Sequence, residues 1–241
     1  MPHLLSPTEM GTILSVWAHP DDETFLAGGI MAAAAGAGQA VVCASATAGE
    51  HGTDDPIAWP PDVLGELRRS ESAAAAGILG IPETRWLGFE DGSLATVAVE
   101  DGVGPVSDLI AQVEPNTILT FGPDGMTGHP DHRTVSAWTT EAWRRSGRTV
   151  RLFHAAVTAA HVLSFAAVYE QWGVFMTDDR PGGVEESEMT IAFRLEEPLL
   201  ARKLAALRAM PSQTSGAFDS MGEEVFGRLN ETEWFVEHAE R

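Results

Sequence analysis

Short apolar runs, each closed by a cluster of glycine, proline or acidic residues, recur along the first two thirds of the chain. "TILSVWA" (12–18), "AVVCASA" (40–46), "TRWLGF" (84–89), "TILTF" (117–121) and "RLFHAAVT" (151–158) read as buried strands. Helical stretches alternate with them. An Ala-rich segment spans 24–35 before a turn at Gly36-Ala37-Gly38, "GELRRSESAAAAGILG" is closed by Gly80, and "VSDLIAQVEP" is ended by Pro115. "EPLLARKLAALRAM" predicts an amphipathic helix, with Leu199, Leu200, Lys203, Leu204 and Leu207 on mixed faces, and "DDRPGGVEESE" a loop. The alternation predicts an α/β fold with a mainly parallel sheet and helices on both faces. No repeat, coiled coil or compositional linker interrupts it, so one domain is expected over 1–241.

Length and composition narrow the picture. A chain of 241 residues can bury the core of one large α/β domain, and 44% hydrophobic with 21% charged residues is ordinary for a soluble globular protein. The acidic excess is not ordinary. Against 35 Asp and Glu there are 15 Lys and Arg, a net charge of −20 that repels phosphate backbones and anionic membranes. Neither nucleic acid nor membrane insertion is therefore expected. Cys43 is the only cysteine, which rules out an intramolecular disulfide and a thiolate metal cluster; its apolar run marks it as a buried hydrophobe. "MPHLLSPTEM" lacks the basic start of a signal peptide. The nearly uncharged segment 30–49 is mostly Ala and Gly with Gln39 at its centre, and reads as helix end, turn and strand rather than as a membrane span. The expectation is a cytoplasmic protein. The glycines of "AAAAGAGQA" do not follow the first strand, so they make no dinucleotide fingerprint.

Chemistry concentrates where strands end. The first run leads into His19-Pro20-Asp21-Asp22-Glu23, and "TILTF" leads into His129-Pro130-Asp131-His132. Taken alone, the first cluster also reads as a helix start, because proline suits the first turn and carboxylates complement the helix dipole. The second cluster changes that. A parallel sheet brings the ends of its strands together, and ligands of open α/β sheets bind beyond those ends. Four polar loops, "AHPDDE", "TAGEHGTDD", "GFEDGS" and "FGPDGMTGHPDH", then share one edge. Two imidazoles and a carboxylate form a catalytic zinc set that keeps a position open for water. His19 and Asp22 are three residues apart, as are His129 and His132, and such pairs share a helical face. One aspartate of Asp21 and Asp22 is left as general base and one histidine as oxyanion stabiliser; the spacing does not choose between them.

These motifs resemble the PIG-L/LmbE-like metal-dependent de-N-acetylases. "TAGEHG", Arg68-Arg69-Ser70-Glu71 with "GILG", "FEDGSL" and "KLAALRAMPSQ" extend the resemblance over most of the chain. It implies a Rossmann-like fold and hydrolysis of an N-acetyl group from an N-acetylglucosamine-type sugar. It implies His19, Asp22 and His132 as ligands of Zn²⁺ or another divalent transition metal, and Asp21 as general base. His129 would be electrostatic catalyst or acid, oriented by Asp131, with Arg68 and Glu50 in the substrate pocket. The implied partner is a small-molecule glycoconjugate; self-association is left open. Two positions depart from the pattern: Met210 stands where relatives often carry histidine, and Thr127 where some carry tyrosine. Rival readings are an amidase of a thiol conjugate, a metal-dependent phosphoesterase, and a non-catalytic binding protein on the same scaffold. The phosphoesterase would need further bridging carboxylates, and a degenerate binder should have lost Asp21 or a histidine. Other residues carry plainer expectations. His51 reads as a solvated loop residue, and His154 and His161 as hydrogen-bonded core histidines. His3 and His238 carry no signal. Trp17, Trp86, Trp138 and Trp143 read as core packing, and Trp59 as a loop anchor or a cover for a sugar ring. Arg68 could equally pair with an acid on its own helix, and Asp91-Gly92 reads first as a turn.

Overall fold

The computed structural model describes residues 5–82, 84–175 and 180–239. In chain order its main elements are β1 (Ile13–Trp17), α1 (Asp22–Gly36), β2 (Val41–Ser45), α2 (Pro61–Leu79), β3 (Thr84–Trp86), α3 (Val99–Val113), β4 (Thr117–Phe121) and α4 (Pro130–Arg145). There follow β5 (Arg151–Ala156), α5 (Ala159–Ser164), α6 (Ala166–Gln171), β6 (Ile191–Arg194), α7 (Leu199–Arg208), α8 (Pro211–Asn230) and β7 (Thr232–Glu237). The five expected strands form, and they pair in parallel in the order β3-β2-β1-β4-β5. Every residue of β1 and β4 is buried, Ser15, Thr117 and Thr120 included, as strands between two helical layers should be. Helix α3 packs on α4, while α1, α2 and α7 pack on one another. Gly80, at φ +83°, ends α2 in the left-handed conformation.

Several elements exceed the sequence reading. Helix α3 starts at Val99, seven residues earlier than its apolar spacing suggests, and α4, α8, β6 and β7 had no separate signal. β7 runs antiparallel beside β5, and β6 antiparallel beside β7, so the sheet is mixed at this edge. Helix α8 breaks at Gly222, whose backbone (φ 72°, ψ 161°) is not helical. Of the expected loop 178–188, the first two residues lie outside the described ones; the rest is irregular apart from a parallel bridge of Val184 to Thr158 and one short turn at Glu186–Glu188. Among the described residues no helix is long and apolar enough to cross a membrane.

Topology places the chemistry. From β1 the chain steps outward to β2 and β3, then returns past β1 to β4 and β5. The crevice beyond the carboxyl ends of β1 and β4 is thus a switch point, where open sheets bind ligands. His19 follows β1 by two residues, and His129 and His132 flank the start of α4 just after β4.

Candidate active site

At this crevice the two clusters meet. His19 Nδ1 lies 3.1 Å from His132 Nε2. The Asp22 carboxylate sits 3.5 Å from His19 Nδ1 and 3.4 Å from His132 Nε2. Asp22 is held there by the His19 backbone N–H, which donates to it at 2.8 Å across the first turn of α1. The ring orientations follow from the outer nitrogens. His132 Nδ1 donates to the Gly125 carbonyl at 3.0 Å, and the ring stacks on Phe121 at 4.2 Å. His19 Nε2 donates toward Asp91 Oδ1 at 3.0 Å, with Asp131 Oδ2 at 3.4 Å. Hydrogens on those outer atoms leave lone pairs on His19 Nδ1 and His132 Nε2.

Three electron-rich groups, His19 Nδ1, His132 Nε2 and the Asp22 carboxylate with one oxygen toward each ring, therefore meet at one place. Ligand atoms ~2.0–2.2 Å from a tetrahedral ion lie about 3.3–3.6 Å from one another, close to the spacings found. Electrostatics agree. Burial opposes a charge on the His19 ring, but hydrogen bonds with Asp131, Asp22 and Asp91 outweigh it and raise its pKa well above the ordinary value. The pocket asks for positive charge here, and a divalent cation can supply it. Burial would also raise Asp22, yet His132 and His19 pull it down to about 2, and burial lowers His132. Asp22 and His132 thus stay in their metal-binding protonation states at neutral pH, while His19 gives up its extra proton when an ion takes the place of that charge.

The neighbouring groups are set differently. Asp21 occupies the cap position of α1 with φ 120°, a rare conformation for a residue with a side chain, and its carboxylate caps no helix N–H. The plain helix-start reading therefore fails for this residue. Loss of hydration lifts Asp21 to about 7, against the pull of Arg68. Arg68 is buried on α2 and spans three groups: the Gly49 carbonyl (2.7 Å), the Pro20 carbonyl (2.7 Å) and Asp21 (3.4 Å). Gly49 is required at this contact, since a Cβ would fall 2.3 Å from the guanidinium. His129 does cap its helix. Its Nδ1 accepts the Asp131 N–H at 3.1 Å, which puts the ring hydrogen on Nε2, and burial with the nearby His19 lowers its pKa. A ring nitrogen of His129 also comes within 4.8 Å of those of His19 and His132.

Two expectations need correction. The Asp131 carboxylate does not orient His129; it accepts the backbone N–H of Gly92 and Leu94 and faces His19, leaving only the Asp131 backbone for His129. Glu50 does not line the pocket. Its carboxylate accepts the Ala48 and Asp91 N–H and ties two loops together. Asp91, read first as a turn residue, is the group the sequence undervalued: it bridges His19 Nε2 and the His51 N–H.

All four polar loops reach one cavity of about 600 Å³, through His19, His51, Asp91 and His129 among others. His51 is half exposed and lines it, and so does His161, which is not a core histidine. His154 bonds Thr140 as expected. Trp17, Trp138 and Trp143 are core, Trp86 is half-buried under Arg69, and Trp59 is exposed and outside the cavity lining. Met210 is buried away from the cavity, whereas Thr127 lines it and sits 3.3 Å from His132 Nδ1.

Comparison with known proteins gives the same outline. Residues 14–143 match the family model described as PIG-L: GlcNAc-PI de-N-acetylase. The chain is 30% identical to 1D-myo-inositol 2-acetamido-2-deoxy-alpha-D-glucopyranoside deacetylase of Mycolicibacterium vanbaalenii, over 95% of this chain and 91% of that one. Its fold is similar to that of N,N'-diacetylchitobiose deacetylase from Pyrococcus horikoshii (TM-score 0.69, 20% identity, 98% and 86% of the two chains). The 4-carboxy-2-hydroxymuconate hydratase of Pseudomonas putida shares the fold too (TM-score 0.57, 18% identity, 96% and 98% covered). Fold alone thus spans more than one activity, and the donor set has to decide the chemistry.

Proposed function

The chain belongs to the PIG-L family of GlcNAc-PI de-N-acetylases, and from that premise we propose that it hydrolyses the acetamide of an N-acetylglucosamine-type sugar or glycoconjugate. The observation that carries this reading is the meeting of His19 Nδ1, His132 Nε2 and Asp22 within 3.1–3.5 Å, with the half-buried Asp21 beside them. His19, Asp22 and His132 would hold the metal, and nitrogen and carboxylate donors in that number suit zinc. Such an ion, when bound, polarises the amide carbonyl and acidifies water.

The chain's own groups do the rest. Asp21, poised near neutrality, takes the proton of the attacking water and passes it to the departing amine. His129 presents Nε2–H to the carbonyl oxygen as negative charge develops there. Asp91 and Asp131 hold the His19 ring so that Nδ1 faces inward. Arg68 fixes Asp21 against the loop after β2. The C–N bond breaks and the products are acetate and a free amino sugar. A cytoplasmic setting suits the single buried thiol, Cys43.

The test pairs metal analysis with amine release from the N-acetylglucosamine–inositol conjugate. Chelator-treated protein should lose turnover and regain it at a fixed free Zn²⁺ level. Unchanged turnover in metal-free protein would overturn the reading.

A further inference from the structure

The cavity has two kinds of wall. Opposite in chemistry to the His and Asp groups is an apolar surface from the C-terminal third: Val162 on α5, Tyr169 on α6, Trp172 after it, Met221 and Phe226 on α8, and Trp234 on β7. The rings brace one another through His161, whose centroid is 4.7 Å from that of Trp234 and 6.4 Å from that of Tyr169. Trp172 rests on bare backbone, since a Cβ on Gly216 of α8 would stand 3.1 Å from its ring. This wall is uncharged at neutral pH. Burial lowers His161 to about 4 and lifts Tyr169 to about 12.

Cations for an acidic ligand are scarce here. Among the described lining residues Arg68 is the only arginine and lysine is absent, and Arg68 is already engaged by two carbonyls and Asp21. Glu233, also in the lining, is paired with the buried Lys203 at 2.8 Å. The carboxylates of Asp21, Asp22 and Asp91, within a chain of net charge −20, add a field that repels anions.

We propose that the amino sugar deacetylated here carries an uncharged, apolar aglycone, which lies against the Val162–Tyr169–Trp172–Trp234 wall. This rests on the deacetylase reading and goes beyond it by naming the substrate class. A polyol aglycone would leave its hydroxyls facing rings, and a phosphate or carboxylate would meet like charge without a free cation.

The experiment separates the two claims. Tryptophan fluorescence titrates benzyl N-acetylglucosaminide and free N-acetylglucosamine onto metal-loaded and metal-free chain. Amine release is then compared for the benzyl glycoside, the inositol conjugate, N-acetylglucosamine 1-phosphate and N-octanoylglucosamine. The benzyl glycoside should bind at least ~10-fold more tightly than the free sugar, the value of shielding a ring from water, and show the highest kcat/KM of the four. Trp172→Ala and Gly216→Val, which remove or displace the ring, should each lower the benzyl-to-inositol ratio of kcat/KM at least ~5-fold. Preference for the inositol or phosphate compound, or equal binding of benzyl glycoside and free sugar, overturns the proposal. Preference for N-octanoylglucosamine also overturns it, because the wall then serves the acyl group, and so does a ratio that neither variant moves. Tight binding of the benzyl glycoside without amine release from any substrate sustains the wall and defeats the deacetylase reading instead.

Discussion

Asp21 and Asp22 are adjacent in sequence and far apart in acidity, about 7 against about 2. The difference comes from what each carboxylate faces: Asp22 looks at two imidazoles that offset its burial, whereas for Asp21 the loss of hydration outweighs the pull of Arg68. Asp21→Asn should keep near-stoichiometric zinc and lose roughly 10²- to 10⁴-fold in turnover, because an isostere leaves the ligands in place and removes the base. Asp22→Asn should instead arrive metal-depleted, with metal content per chain deciding between them after dialysis at fixed free zinc. His129→Ala should retain metal while turnover falls; metal loss there would make His129 a ligand. Asp91→Asn should weaken zinc affinity ~10–100-fold through the His19 ring alone, which competitive chelator titration measures. His154, away from the site, carries the pH dependence best isolated by mutation. Burial and the neighbouring His238 lower its pKa to about 4, below the ~6.5 of an unfolded chain. Its contribution to stability is therefore complete above about pH 6.5 and lost as pH falls toward 4. His154→Gln, still able to face Thr140, should lose less stability than the parent between pH 7 and 5 in urea titrations; identical slopes would refute this.

Elements matter here by how their ends are aimed. β1 and β4 stop level with each other, and a proline-initiated helix follows β4, so His129 caps α4 while His132 turns inward one helical turn later. Helix α1 is anchored from outside its own ladder. Glu233 of β7 accepts the Gly29 and Ile30 N–H at 2.7 and 2.8 Å, and Lys203 of α7 donates to the Phe25 carbonyl at 2.7 Å and to Glu233. The apolar spacing of α7 left Lys203 on a mixed face, yet it is fully buried, because its ammonium completes this network. Lys203→Met should cost about 3–5 kcal/mol of unfolding free energy, since Glu233 is left as an uncompensated buried charge. Arg145→Ala, which breaks an exposed pair with Glu100, should leave the urea midpoint close to the parent's.

For the whole molecule, bound metal and net charge act on stability in ways that can be read without an assay of turnover. An ion that binds only the folded chain should stabilise it by about 2.7 kcal/mol at a hundredfold excess over Kd, and Asp22→Asn should abolish that shift in thermal melts. Five parallel strands and the pair of His-Pro-acid clusters were legible from the chain alone, because buried runs and tight turns are local properties of neighbouring residues. So was the meeting of the two clusters, since both end strands of one parallel sheet; the choice of His19, Asp22 and His132 as the ligand set came from the family resemblance and rests on the metal analyses above. What needed the tertiary structure was everything settled by residues far apart in sequence. Asp91 reads locally as a turn and becomes a partner of His19 only across 72 positions of chain, and Glu50 proves to tie loops rather than line the pocket. Likewise Asp131 turns its carboxylate away from its neighbour His129, and the antiparallel strand β7 joins α5, α6 and α8 to supply one side of the cavity. Local patterns specify which segments can be strands and helices; which polar groups share a dry pocket depends on long-range packing, and so do their charges.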